Sequence, residues 1–134
     1  MILNSFSAKI AMFAFPIVLA ACGEGVPEQS AQVAHLPPPG FVGDAFAGKE
    51  LYMQYCKDCH GVNGVGSDKG PAFYLDIYGP RHHANLAFHW AVSRGVKQHH
   101  TNFGDMPPIP SLTPEEVGHI ILFVRALQQV AGVE

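Results

Sequence analysis

The segment "CKDCH", residues 56–60, is the most informative part of the sequence. Its two cysteines stand one helical turn apart, and a histidine follows directly. Such a Cys-x-x-Cys pair forms a redox dithiol, half of a zinc site, or a pair of thioether anchors for haem. A redox dithiol is expected within a βαβ pattern, which the sequence lacks, and a zinc site needs four ligands. Once Cys22 is set aside, no second cysteine pair exists. The motif therefore favours haem attachment, with Cys56 and Cys59 adding to the vinyl groups and His60 binding the iron.

On either side of this motif the sequence predicts helices, and no run alternates as a strand should. The segment "DAFAGKELYMQYC", residues 44–56, carries an apolar stripe at helical spacing behind Asp44, a plausible N-cap. The segment "NLAFHWAVSRG", residues 85–95, predicts a shorter helix with Asn85 as its cap and Gly95 as its stop.

The last helix has the strongest signal in the chain. Thr113 is expected at the N-cap, with a proline after it and Glu116 closing a capping box, and Gly132 marks the exit. Its buried face is expected to hold Val117, Ile120, Ile121, Val124, Leu127 and Val130. The prediction is an all-α domain spanning residues 44–134.

Composition excludes some classes of function and indicates a thin core. The 134 residues contain 8 Lys and Arg against 11 Asp and Glu, a formal charge of −3 that does not suit a nucleic-acid binder. The apolar fraction of 48% is too high for a disordered chain. Three short helices joined by loops rich in Gly and Pro bury little surface, so a buried cofactor is expected to stabilise the domain.

The N-terminal part of the chain is expected to direct export. Residues 1–21 predict a signal peptide, and Leu19-Ala20-Ala21-Cys22 resembles a bacterial lipobox, in which the cysteine thiol is acylated. The alternative is ordinary cleavage after Ala20 or Ala21, which leaves a soluble periplasmic protein. Residues 22–43 contain three consecutive prolines and no periodicity, so they predict a flexible, Pro-rich tether.

From Gly48 to Gln128 the chain resembles a small monohaem class I cytochrome c. In that family a glycine and an aromatic residue on the first helix pack against an aromatic residue on the last, and Gly48, Tyr52 and Phe123 match them. Gly61, after the motif histidine, fits as well. The resemblance implies an all-α cytochrome c fold, three or more short helices with long loops around one covalently bound haem c.

The resemblance also implies a partner for the iron-binding histidine. The Gly70-Pro71 pair matches the family pattern, in which the proline carbonyl accepts the hydrogen bond from the histidine Nδ1–H and orients the ring. A simple turn is the alternative interpretation of Pro71. Trp90 is expected near the haem edge, where its N–H can bond a propionate, with core filling as the alternative.

Met106 is the candidate for the sixth position of the iron. It lies in "FGDMPPIP", residues 103–110, a segment that its prolines keep out of a helix, and it matches the Met-Pro ligand loop of the family. Met53 lies on the helix that leads into the motif, on the same side as His60, and cannot reach across the ring. The rival ligands are His99 and His100.

Five further histidines lie between residues 82 and 100: His82, His83, His89, His99 and His100. A second metal site, for copper as an example, is one interpretation. The favoured one is that they face solvent or bond haem propionates and loop carbonyls, since no pair at i, i+4 presents two rings to one point. His119 is expected on the exposed face of the last helix, without a role.

The predicted function is one-electron transfer by a membrane-tethered periplasmic cytochrome with a His/Met-ligated haem. It is an electron carrier rather than an enzyme, and its expected partners are redox proteins of the respiratory or periplasmic chain and the membrane holding its lipid anchor. No nucleic acid and no small-molecule substrate is expected. The alternatives are a haem enzyme or ligand-binding sensor with a displaceable sixth ligand, and an electron-transfer subunit dedicated to one larger oxidoreductase.

Overall fold

A computed structural model describes residues 35–133, and within that range it contains four α-helices and no β-strand. The helices are α1 (Ala45–Tyr55), α2 (Lys57–His60), α3 (Asn85–Arg94) and α4 (Pro114–Val130), with 3₁₀ turns at Val62–Gly64 and Asp76–Tyr78. The all-α prediction is confirmed for this part of the chain. None of these helices is long and apolar enough to cross a membrane.

Helix α1 begins after Asp44, which forms hydrogen bonds with the first turn of α1 and with a side chain of α4. Its carboxylate accepts hydrogen bonds from the backbone N–H groups of Phe46, at 2.7 Å, and Ala47, at 3.4 Å, as an N-cap should. The Asp44 backbone N–H donates to Nδ1 of His119 at 2.8 Å. His119 is half-buried and bonded to the start of α1, so the expectation that it lies on the exposed face without a role was wrong.

Helix α3 begins one residue earlier than predicted. Ala84 takes the N-cap position and Asn85 is the first helical residue. The Asn85 side chain does not cap, because its Oδ1 accepts a hydrogen bond from Nε of Arg125 on α4 at 3.0 Å. A contact between distant segments thus replaces the local cap that the sequence suggested.

Helix α4 starts at the predicted capping box. Thr113 Oγ1 accepts from the Glu116 N–H at 3.2 Å, and the Glu116 carboxylate accepts from the Thr113 N–H at 2.8 Å. The buried face of α4 differs from the prediction at the C-terminal end of the helix. Val130, predicted to be buried, is 91% exposed, and Gln128 is buried in its place. A helix turns about 100° per residue, so position 128 returns to the face of Val117 while position 130 turns away from it.

Buried Gln128 is fully bonded. Its Nε2 donates to the carbonyl groups of Phe73, at 2.8 Å, and Tyr78, at 2.9 Å, and its Oε1 accepts from Arg125 at 2.6 Å. Arg125 also donates to the carbonyls of Tyr78 and His83. These two side chains of α4 hold the loop of residues 73–83 in place, and a pattern of apolar residues does not reveal them.

The crossing of α1 and α4 positions the rest of the fold. A Cβ placed on Gly48 would lie 2.0 Å from the His119 carbonyl oxygen, so only glycine permits this approach. One turn later, the fully buried Tyr52 ring packs on Phe123 with centroids 5.2 Å apart. The predicted packing of Tyr52 on Phe123 is confirmed, and Gly48 meets the backbone of His119 and Ile120. The Tyr52 hydroxyl donates to the Gly61 carbonyl at 2.8 Å, which joins the crossing to the segment after the motif.

The end of the predicted tether lies against the domain. The Phe41 ring meets His119 edge-on, with centroids 5.1 Å apart, and a Cβ on Gly118 would lie 2.5 Å from Phe41. The packed part of the chain therefore begins before the predicted boundary at Asp44, because an aromatic ring covers the small residue on α4. The predicted signal peptide, residues 1–21, and the predicted lipidation site Cys22 lie outside the described residues.

Replacing Gly48 by Val should destabilise the haem-loaded protein by about 1–3 kcal/mol, the usual range for overpacking. The new Cβ meets backbone at the helix crossing, and backbone cannot rotate out of the way. Intrinsic helix propensity alone favours Val over Gly, so a loss of stability reports the clash. Denaturant unfolding of the ferric form measures it.

Gln54→Val is the matched control, because Gln54 is exposed on the same helix. Its free energy of unfolding should stay within about 0.5 kcal/mol of the parent. Equal stability of parent and Gly48→Val would show that the two helices do not cross at this glycine.

Candidate functional site

The residues singled out from the sequence line one cleft. It has a volume of about 540 Å³, within the range of ligand-binding pockets, and its walls include Phe73, Phe88, Ile120 and Val124. The cleft brings together Cys56, Cys59, His60, Pro71, Trp90 and Met106. These residues come from four separate segments of the chain, so the fold rather than the sequence places them side by side.

The two cysteines are placed by the junction of α1 and α2. Cys56 ends α1, and its carbonyl accepts hydrogen bonds from the N–H groups of Cys59, at 3.2 Å, and His60, at 2.9 Å. This single turn puts both thiols on the cleft, and neither forms a disulfide. Burial, and to a lesser degree the neighbouring Cys59, raises the pKa of Cys56 to about 12.

His60 is held in one tautomer. Its Nδ1 lies 3.0 Å from the Pro71 carbonyl oxygen, and because a carbonyl only accepts, Nδ1 carries the proton. Nε2 is then the nitrogen left with a lone pair for a metal. The ring stacks on Phe73 with centroids 4.4 Å apart. Burial lowers the pKa of His60, and the bond to Pro71 opposes that shift, so the ring is suited to bind iron in its neutral form.

The loop after the motif packs tightly on the single-turn helix α2. The Gly66 N–H donates to the His60 carbonyl at 2.7 Å, and the Ser67 hydroxyl donates to the Cys59 carbonyl at 2.6 Å. A Cβ on Gly70 would lie 2.8 Å from that same Cys59 oxygen. These contacts bring Pro71 back over His60. Ser67 gave no signal in the sequence, because a loop serine is common and its partner is a backbone group.

Met106 is held by an antiparallel bridge to the residue that follows α3 and Gly95. The Val96 N–H donates to the Met106 carbonyl at 2.9 Å, and the Met106 N–H donates to the Val96 carbonyl at 3.0 Å. Gly95 has a φ of +75°, and a Cβ there would lie 2.5 Å from the Met106 oxygen. We refer to residues 96–106 as the ligand loop. Its two ends are thus joined, and Met106 stands at the join.

Side chains connect the two arms of the ligand loop next to its joined ends. Lys97 and Asp105 form an exposed ion pair at 2.5 Å, which lowers the pKa of Asp105 and raises that of Lys97. The other Asp105 oxygen accepts from the Gln98 N–H at 3.0 Å. His99 turns its Nδ1 to the Lys97 carbonyl at 2.7 Å. These bonds fix the shape of the loop between its two ends.

Trp90 lies on α3 at the edge of the cleft and is 44% exposed. The Arg94 guanidinium lies over its ring, 5.4 Å from the centroid, at a distance that permits a cation–π contact. The ring is therefore not ordinary core filling. The proposed bond from its N–H to a propionate stays a prediction.

The five histidines between residues 82 and 100 separate into two groups. His89 is buried on α3, away from the cleft, and burial lowers its pKa. Its Nδ1 has no hydrogen-bond partner among residues 35–133. The other four lie close together, although their spacing in sequence gave no reason to expect it, and they are His82, His83, His99 and His100. All of these except His82 line the cleft.

The apolar cleft fits a haem. It presents two thiols one helical turn apart and a histidine whose Nδ1 is already bonded, the donor set that covalent attachment and axial ligation require. A sequence model of the family described as "Cytochrome c" matches residues 45–128. No curated protein sequence matches the chain significantly.

The family match covers all four helices up to Gln128, and with it the all-α cytochrome c fold is confirmed. Covalently attached haem c is the cofactor that this domain implies, and haem-based electron transfer is the role that it supports. The chain belongs to the cytochrome c family.

Proposed function

We propose that this chain is a one-electron carrier with a His/Met-ligated haem, tethered by a lipid to a membrane in the bacterial periplasm. The observation that carries the proposal is that His60 and Met106 line the same cleft as the two cysteines. Each is fixed by hydrogen bonds, His60 through its ring and Met106 through its backbone. Its partners would be redox proteins of the respiratory or periplasmic chain.

Each residue of the site has a defined task in this proposal. Cys56 and Cys59 would hold the cofactor through thioethers, Nε2 of His60 and the Met106 sulfur would bind its iron, and the Pro71 carbonyl keeps His60 oriented. When bound, the haem supplies an iron that cycles between ferric and ferrous forms, with the thioether favouring the ferrous form. Two such ligands would leave no position on the iron for a substrate, as a carrier rather than an enzyme requires.

The rival ligands are less favourably placed. His99 is bonded through Nδ1 to the Lys97 carbonyl, and His100 contacts His82. Met106 is favoured over both because it stands at the fixed join of the loop, whereas the two histidines lie between its joined ends. A haem enzyme or sensor would need a sixth ligand that leaves easily, and the bonds at both ends of the ligand loop argue against that alternative.

Met106→Ala should abolish the weak far-red absorption of the ferric protein that reports sulfur bound to iron. It should also lower the reduction potential and let cyanide or carbon monoxide bind rapidly, because the sixth position loses its ligand. Absorption spectroscopy, redox titration and stopped-flow ligand binding measure these changes.

His99→Ala and His100→Ala are the controls and should keep the far-red band. If Met106→Ala retains the parent spectrum while one of the histidine variants loses it, the sixth ligand is that histidine. The protein would then be a carrier of low potential.

Gly95→Ala should weaken the bond between Met106 and iron although Gly95 itself contributes no ligand. The added methyl group would lie 2.5 Å from the Met106 carbonyl oxygen and push against the bridge to Val96. We expect a smaller far-red band and faster binding of carbon monoxide than in the parent.

Gly104→Ala is the matched control for this contact. Gly104 lies in the same loop with a φ of +89°, so alanine there carries similar backbone strain, but a Cβ at that position would meet no atom within 4 Å. Equal effects of the two substitutions would mean that strain in the loop, rather than the contact with Met106, controls the ligand.

The lipid tether is the part of the proposal that rests on Leu19-Ala20-Ala21-Cys22. The mature protein should begin at an acylated Cys22 and sediment with membranes. Two or more acyl chains are expected, because one chain alone gives only marginal binding. Mass spectrometry of the mature N-terminus decides the matter. An unmodified Cys22, or a mature chain that begins after it, would leave an ordinary periplasmic carrier.

A further inference from the structure

Three imidazoles meet at the edge of the haem cleft without a role in the proposed electron transfer, and two of them, His83 and His100, also line the cleft. His82 and His83 follow the 3₁₀ turn at Asp76–Tyr78, and His100 comes from the ligand loop. One ligand nitrogen from each ring can be chosen so that all three lie within 4.8 Å of one another. We call these three residues the histidine cluster.

The distances in the histidine cluster suit a shared metal ion. Nε2 of His82 and Nε2 of His100 are 3.3 Å apart. Two nitrogens that each lie 2.0–2.1 Å from one ion at a tetrahedral angle stand about 3.3–3.4 Å apart. A ring nitrogen of His83 completes the set, within 4.8 Å of the other two.

His83 is already in the tautomer that a metal ligand needs. Its Nδ1 is hydrogen-bonded to the Ile77 carbonyl, which only accepts, so Nδ1 carries the proton and Nε2 keeps its lone pair. A bond of this kind behind a ligating imidazole fixes its orientation and raises its basicity.

The backbone under the histidine cluster is held firmly on both sides. The N–H groups of His82, at 3.1 Å, and His83, at 2.9 Å, donate to the Gly79 carbonyl, and Arg125 donates to the carbonyl of His83. On the other side, the bridge between Val96 and Met106 closes the loop that carries His100. The ligands are therefore brought together by the fold and require little ordering when an ion binds.

We propose that His82, His83 and His100 form a second metal site, which takes one divalent transition-metal ion of the Zn²⁺ or Cu²⁺ class. Neutral imidazole nitrogens suit both ions, and Cu²⁺ binds such ligands more tightly than Zn²⁺. His82 and His100 are exposed and His83 is half-buried, so an ion can enter from solvent and keep water as its remaining ligand. None of the three residues is a haem ligand in the proposed function.

Calorimetric titration of the haem-loaded full chain in detergent with Zn²⁺ tests the site. The parent should bind one ion per chain with micromolar or tighter affinity. His82→Ala and His100→Ala should each weaken binding at least tenfold, because the loss of even an outer-shell partner weakens metal sites by about 10–100-fold. Both variants should keep the far-red absorption of the parent, which shows that the fold and the haem site are intact.

His99→Ala is the matched control, since His99 is the neighbouring imidazole on the same loop and is not one of the three residues whose ligand nitrogens lie within 4.8 Å of one another. It should bind Zn²⁺ as the parent does, and Cu²⁺ in the parent should show electron paramagnetic resonance coupling to three imidazole nitrogens. An equal loss in His99→Ala would overturn the assigned ligand set. Absence of Zn²⁺ binding by the parent, with a shifted haem spectrum in His82→Ala, would show that the histidine cluster holds a haem propionate instead.

Discussion

The close approach of α1 and α4 at Gly48 is the constraint on which the rest of the molecule depends. A helix without a side chain at this point lets the two backbones touch, and the contact brings Tyr52 onto Phe123 one turn later. The end of α1 is thereby fixed, and Cys56 with it. The thin core expected from the sequence is thus organised around one crossing, and the loops that hold the cofactor are arranged from it.

Sequence reasoning succeeded where the signal is local or follows a fixed spacing. The capping box of Thr113 and Glu116, the motif at residues 56–60 and the glycine of the helix crossing each depend on a few neighbouring residues or on a helical repeat. Pro71 was found through its distance along the chain from the motif. These features give the fold class and the proximal half of the candidate site.

Met106 was also predicted, from its match to the Met-Pro loop. Other contacts could not be predicted, because they join distant segments and leave no periodic trace. Gln128 replaces an apolar residue on the buried face of α4, and Arg125 takes the side chain of Asn85 away from its cap. The histidine cluster likewise forms only because two loops, 18 residues apart in sequence at His82 and His100, close against each other. The partners of these polar groups are set by the tertiary fold, and the spacing of residues in the sequence does not predict them.

The closed base of the ligand loop has a consequence for how this chain can vary. The backbones of Val96 and Met106 are hydrogen-bonded to each other. The position of Met106 therefore does not depend on how many residues lie between them. Doubling the length of a loop costs only about 0.6 kcal/mol in closure entropy, and Asn102 and Phe103 at the tip are exposed. Insertions between these two residues can therefore add new surface for recognition, or graft a peptide beside the cofactor, while the sulfur stays where it is.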